Sequence, residues 1–283
     1  MLNSTTTQIP ATTANLGPGY DCLGVALRVY NSVTVRRGEP GTEAEPGAMA
    51  TAAAELFFRT AGIDPFAFTW TITGDVPQAR GLGSSVTVRL GVLSGLNQLA
   101  GVPLSRKQLF ALCAELEGHP DNAAPGTFGG FTVAGGPQLA RFEVAPELYF
   151  VLLIPDFEIS TPDARRVLPA QLDRLSAVAS CSNACRITAA FATRNYELLR
   201  GAFVDGLHQP FRETLIPFLG AVIDAGESAG ALGGFLSGSG STICCLTLRG
   251  TRQVAAAMLA AVPGGGAQTI ITQADNAGTS TIA

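Results

Sequence analysis

A glycine-rich hexapeptide, Arg80-Gly81-Leu82-Gly83-Ser84-Ser85, separates a segment that alternates like a strand from one that repeats like a helix. Phe66 to Thr73 alternates from one face to the other, as strand residues do. Val86, Leu90, Leu93 and Leu96 then recur at helical spacing and mark one apolar face. A strand that turns through glycines straight into a helix leaves the N–H groups of the first turn unpaired, at the positive end of the helix dipole. Glycines let a phosphate come close to such a backbone, and the hydroxyls of Ser84 and Ser85 add hydrogen bonds or a magnesium ligand. The segment reads as a nucleotide phosphate site, with an ordinary helix start after a glycine turn as the plain alternative. It is not a Walker A loop, because no Gly-Lys-Ser/Thr follows. It is not the dinucleotide fingerprint, because Val86 stands where a third glycine belongs.

The chain has 283 residues, room for two ordinary domains or one large one, and with 47% hydrophobic and 14% charged residues it can bury a large core. Its formal net charge of -4 gives no electrostatic case for nucleic acid, so a polyanionic ligand must be held by local dipoles and a metal. The single lysine, Lys107, stands beside Arg106 in a polar stretch and reads as solvated rather than catalytic. The six cysteines, Cys22, Cys113, Cys181, Cys185, Cys244 and Cys245, show no zinc spacing and are expected to be buried thiols in a reducing compartment. The N-terminus has no basic region followed by an apolar core, and no span is long and apolar enough for a membrane helix. A soluble cytoplasmic protein with no membrane partner is expected.

Along the chain, Thr5 to Ile9 reads as a strand ended by Pro10, and Leu27 to Arg36 as a second strand. Arg37 to Gly47 reads as a polar turn and Met49 to Thr60 as an alanine-rich helix. Ser105 caps a helix that runs to Glu117, with Leu109, Leu112, Cys113 and Leu116 on one face. Phe128 to Val133 and Leu148 to Ile154 are strand-like. Beyond a break near Pro155, helices are expected over 162–168, 172–203 and 211–227. Strands are expected at 234–236 and 242–248, a helix at 251–261, and a last strand at 268–272. Residues 275–283 are expected to be loose. Strands mixed with helix pairs, without regular alternation, indicate an α+β fold; with the break near Pro155, and with the resemblance described below, two domains are expected, 1–154 and 155–283.

Three further segments carry polar groups on rigid turns. Pro10 to Asp21 pins Asn15 and Asp21 between glycines and prolines, an amide and a carboxylate suited to a small polar substrate or to their own backbone. Glu117-Gly118-His119-Pro120-Asp121 places two carboxylates near a helix end, one able to hold magnesium and the other to orient a hydroxyl nucleophile. His119 is a candidate proton carrier or a structural hydrogen-bonding group. Gly233 to Thr242 is a second tight turn of small residues, able to close over phosphates or to serve only as a hairpin.

Taken together, PATTANLGPGYDCLGVAL, GLGSS, EGHPDNAAPGTFGG and SGSGST resemble, in order and over nearly the whole length, the motifs of the GHMP kinases, most closely those of the homoserine kinase family. The resemblance implies a ribosomal-protein-like N-terminal domain with a left-handed crossover, a ferredoxin-like C-terminal domain, and an active site between them. It implies ATP and Mg2+ as cofactors, phosphorylation of the L-homoserine hydroxyl, and a homodimer as is usual for that family. By resemblance Arg80, Gly81, Leu82, Gly83, Ser84 and Ser85 form the phosphate loop, and Ser85 and Glu117 hold the metal. Asn15, Asp21, His119 and Asp121 hold the substrate, with Asp121 on the reacting hydroxyl. Thr161 lies near that hydroxyl, and Arg165 and Arg212 face the substrate carboxylate, where a planar fork gives paired charge-assisted bonds. Another GHMP kinase acting on a different hydroxylated substrate, or a catalytically silent member, is the alternative.

The pattern departs from the family in three places. Val86-Thr87-Val88-Arg89 replaces the small residues usual after the serine, so the first helical turn packs differently or Arg89 forms an additional ion pair. Gly47 stands where an asparagine near the adenine is usual. The loop around His119 is of the short type.

Overall fold

The computed structural model describes residues 2–38, 47–136 and 138–282. Most of the polar turn expected over 37–47 lies outside the described residues. The first half comprises β1 (Ser4–Ala14), β2 (Leu23–Arg37), α1 (Ala48–Ala61), β3 (Phe68–Gly74), α2 (Ser84–Leu99), α3 (Arg106–Glu117), α4 (Ala123–Phe128), β4 (Phe131–Gly135) and β5 (Gln138–Phe142). The second comprises β6 (Tyr149–Pro155), α5 (Thr161–Arg166), α6 (Arg174–Thr193), α7 (Gln209–Arg212), α8 (Leu219–Ser228), β7 (Gly233–Leu236), β8 (Ile243–Thr247), α9 (Thr251–Ala260), β9 (Ala267–Gln273) and β10 (Ser280–Ile282).

Two antiparallel sheets result. In the larger, with order β10-β1-β2-β4-β5, the 15-residue β2 is long enough to hold two partners on one edge. Leu23–Val25 pair with β4, and Asn31–Arg37 with β3. The smaller sheet has the order β7-β8-β6-β9. In chain order this is strand, helices, two strands, helix, strand, with the first and last strands adjacent, which is the ferredoxin-like arrangement.

Each sheet covers one face with helices. Val33 and Val35 of β2 pack under α1, α2 and α3 with Phe57, Leu90, Leu93 and Leu96. Val151 and Leu153 of β6 pack under α8 and α9 with Val222, Val254 and Met258. A third cluster joins the halves: Leu23, Val25, Leu27 and Phe131 meet Phe150, Leu152, Phe191 and Phe235. Phe131 and Phe191 stack there, with centroids 4.2 Å apart and planes 7° from parallel.

Several expectations are corrected. Pro10 does not end β1; the strand continues to Ala14 through a register shift at Pro10/Ala11, which absorbs the missing N–H. The helix expected over 172–203 stops at Thr193, where Arg194 turns left-handed. The helix expected over 211–227 is divided at Pro217, between α7 with its following turn and α8. Residues 275–282 are not loose: Ser280–Ile282 pair with β1, and Asp275 accepts from the Ala277 and Gly278 N–H groups and from Tyr30 Oη. Cys181 and Cys185 are exposed rather than buried, whereas Cys113, Cys244 and Cys245 lie inside as expected. Among the described residues no helix is long and apolar enough to cross a membrane.

Candidate active site

The β3–α2 loop is built to leave a helix end open. Gly83, the residue before α2, has φ 68° and no side chain to cap the helix, so its first-turn N–H groups are not taken up by a cap residue. A Cβ at Gly83 would come within 2.1 Å of Thr12 Oγ1, and one at Gly81 within 2.1 Å of the Ser237 carbonyl. Only glycine fits at either place. The carbonyls of the loop are tied down on the other side. Thr12 N–H donates to Leu82 O (3.1 Å), Thr242 N–H to Arg80 O (3.2 Å) and Ser237 Oγ to Gly81 O (2.7 Å). The loop is thus clamped between β1 and the β7–β8 turn, with its amide side available to an anion.

Ser84 and Ser85 line the adjoining cavity of about 520 Å3, with Gly81 and Gly83. Arg80 and Leu82 do not. Arg80 reaches away, donating to Pro155 O (3.0 Å) and Asp156 O (2.8 Å) and pairing with Glu158 (3.2 Å). Leu82 is 1% exposed in the core that joins the halves. Both brace the loop instead of facing the cavity.

Glu117, at the end of α3, faces the start of α2. Ser85 Oγ donates to Glu117 Oε2 (3.0 Å), and Arg89 NH1 lies 2.5 Å from Glu117 Oε1. A hydroxyl and a carboxylate oxygen side by side at the rim of a phosphate loop are the donors a hard divalent cation takes, so these residues fit magnesium. Of the two alternatives for the segment after Ser85, the Arg89 ion pair forms, and it falls on this same carboxylate.

The rest of the cavity gathers the substrate-side residues. His119 Nδ1 lies 2.5 Å from Asp121 Oδ1, and the Asn122 N–H donates to the same oxygen (2.9 Å). Asp121 is only 2% exposed. Burial pushes the His119 pKa down, but the hydrogen bond to Asp121 and the charges of Asp121 and Asp21 outweigh it and raise it above 6.5. Asp21 accepts from Arg165 (2.8 Å). Asn15 has both ends of its amide engaged, donating to Gly238 O (3.0 Å) and accepting from the Asp21 N–H (3.0 Å). Thr161, the first residue of α5, lines the cavity, as do Arg165 and Arg212.

Arg212 is held from several sides. Its Nε donates to Ala164 O (3.0 Å), and NH1 donates to Gly238 O (2.9 Å) and to His208 Nδ1 (3.2 Å). His208 Nε2 in turn donates to Gly17 O (2.9 Å). Both partners therefore select one neutral tautomer, protonated at Nε2. Burial pushes the His208 pKa down, Asp205 pulls it up, and Arg212 adds to the fall. The Tyr20 ring lies near both arginines, 5.6 Å from the Arg165 guanidinium and 5.3 Å from that of Arg212.

Tyr20, His208 and Asp205 are missing from the sequence-based set. Asp205 accepts from the N–H groups of Leu207, His208 and Gln209, and so caps the turn that carries Arg212. Asp205 followed by Pro210 was a readable helix-start signal. The apolar wall formed by Met49, Trp70, Ile72 and Val88 was not picked out either, because it is ordinary core-type sequence.

The chain matches the model "GHMP kinases N terminal domain" over residues 48–130 and "GHMP kinases C terminal" over 162–264. It is 40% identical over 277 residues to the homoserine kinase of Microchaete diplosiphon, covering 91% of this chain and 90% of that protein. The crystal structure of homoserine kinase from Cytophaga hutchinsonii superposes with a TM-score of 0.90 at 26% identity, covering 100% of this chain and 98% of that one. The mevalonate kinase of Methanococcus jannaschii shares the fold, with a TM-score of 0.71 at 14% identity over 96% of this chain and 98% of that one.

Proposed function

The chain belongs to the GHMP kinase family, and from that premise we propose that it is a homoserine kinase, converting ATP and L-homoserine to ADP and O-phospho-L-homoserine on the path to threonine. One observation carries the residue assignment: a single cavity is lined both by the phosphate loop with Ser85 and Glu117, and by Asp21, Asp121, Arg165 and Arg212. The first group suits a nucleotide polyphosphate. The second suits a small zwitterion with a hydroxyl.

Phosphoryl transfer passes through a loose transition state, so positioning and charge stabilisation supply most of the catalysis. The amides of Gly81 to Ser84 and the start of α2 cradle the phosphates, braced by Arg80 and Leu82. Ser85 and Glu117 would hold Mg2+, which when bound would supply positive charge against the nucleotide phosphates. Asp121, fixed by His119 and by the Asn122 N–H, orients the substrate hydroxyl, and Thr161 adds a hydroxyl nearby. Asp121 need not act as a full base, because a loose transition state demands little activation of the nucleophile.

Arg212 turns one face of its fork to the protein. NH2 has no protein acceptor among the described residues, and Arg212 lines the cavity, so that edge is the natural partner of the substrate carboxylate. Asp21 receives the ammonium group, with Arg165 shared between Asp21 and the carboxylate. Asn15 contributes by holding the Asp21 turn and Gly238 in place.

ADP release with Mg2+ and ATP, compared across L-homoserine, L-serine, mevalonate, galactose and no acceptor, tests the assignment. Release above background with homoserine alone is expected. Arg212→Lys should raise KM for homoserine by about 10- to 100-fold, the cost of a lost charge-assisted bond, and leave KM for ATP near its original value. A change confined to ATP would refute the carboxylate role.

A further inference from the structure

Arg89 lies one turn beyond Ser85 on α2, and the two side chains hold Glu117 from either side. Arg89 takes Oε1 at 2.5 Å and Ser85 takes Oε2 at 3.0 Å. The Glu117 side chain is 8% exposed and that of Arg89 20%, so solvent screens their attraction weakly. Arg89 does not line the cavity, although its neighbour Val88 does. Its charge reaches the phosphate site through Glu117 and not by touching a ligand.

We infer that Arg89 is a built-in competitor of the divalent cation. It neutralises Glu117 when no metal is bound, and it lowers the affinity of the site for metal when nucleotide is present. This rests on Ser85 and Glu117 being the metal ligands. The physical reason is charge. A carboxylate paired with a guanidinium offers a cation less net negative charge than a lone one. An uncharged side chain at position 89 would leave Glu117 with only the Ser85 hydroxyl, and a buried carboxylate so placed is costly. A divalent cation arriving there would relieve that cost and bind more tightly. Arg89 therefore exchanges metal affinity for a site that stays ordered without metal.

The quantity to measure is the factor by which Mg2+ tightens ADP binding, obtained by titration calorimetry on the full chain with and without the metal. Arg89→Met should enlarge this factor about tenfold, while Arg89→Lys, which keeps the charge, should stay near the starting protein. A thermal scan supplies a second readout. Without metal Arg89→Met should melt lower, and Mg2+ with ADP should raise its melting temperature by more than it raises that of the starting protein. Should Arg89→Met fail to fold, Arg89→Gln carries the same test. An unchanged or smaller factor in the uncharged variant overturns the competition. Glu117→Gln separates this from the underlying assignment. If it abolishes the Mg2+ effect while Arg89→Met leaves the factor unaltered, the role of Arg89 alone is wrong. If Glu117→Gln keeps the full Mg2+ effect, the ligand assignment falls and the competition with it.

Discussion

At the scale of single residues, Arg212 is 2% exposed and still presents an edge to a cavity. A charge so deeply placed is tolerable only because its other donors are met by Ala164 O, Gly238 O and His208. His208 meets this demand as a neutral ring; a proton at Nδ1 would point an N–H at a guanidinium. Burial, with the Arg212 charge added to it, holds its pKa below 6.5. A depressed folded pKa contributes stability that is complete above the unfolded value and is lost as pH falls through the folded one. We expect the melting temperature to fall more steeply from pH 6.5 to 4.5 in the starting protein than in His208→Gln, whose amide can donate and accept at matching places. Parallel pH profiles would refute this. The motif residues were legible through the joint resemblance of short segments to the GHMP kinases, since no one turn was specific alone. The role of His208 was not, since its partner Gly17 lies 191 positions away in the chain.

At the scale of elements, α2 aims the phosphate site, and its depth is set by glycines on its buried face. A Cβ at Gly91 would stand 2.5 Å from Val33, and one at Gly95 2.3 Å from Val35. These contacts seat α2 close against β2, with its N-terminus beside Thr12 of β1. Gly95→Ala should therefore cost about 1–3 kcal/mol by overpacking. Val35→Ala should recover part of that loss in the double variant, as a chemical-denaturation cycle would show. Additive losses would mean the two do not touch. The helix was readable from its apolar spacing, and Ser105 from its cap, which forms a full capping box with Gln108. The short α4, β5 and β10 were not. β10 has three exposed residues and no pattern of its own, and exists only as a partner for β1.

At the scale of the whole molecule, the two sheets share a core, and the cavity is lined from both halves. Asn15, Ser85 and Glu117 come from one, and Thr161, Arg165 and Arg212 from the other. Phe191 of α6, stacked on Phe131 of β4, is a central part of that join. Phe191→Ala should cost about 3–5 kcal/mol in denaturant unfolding. It should also raise KM for homoserine, because the arginines and Asp121 sit on opposite halves. A loss below about 1 kcal/mol would show that this cluster does not bind the halves together.

The sequence by itself determined the two-part α+β fold, the open helix start after the glycine loop, and the identity of the polar residues around the cavity. The α+β class and the helix start depend on local backbone preference and periodicity; the division into two domains and the polar residue set came from the joint resemblance of four short motifs to the GHMP kinases. The tertiary structure alone decided that Arg80 and Leu82 brace the loop instead of facing the cavity. It decided that Arg89 shares the carboxylate of Glu117, and that the C-terminal residues close the edge of the first sheet. Each of these turns on which distant groups meet, and on burial that makes an unpaired charge or N–H costly. No local pattern specifies that.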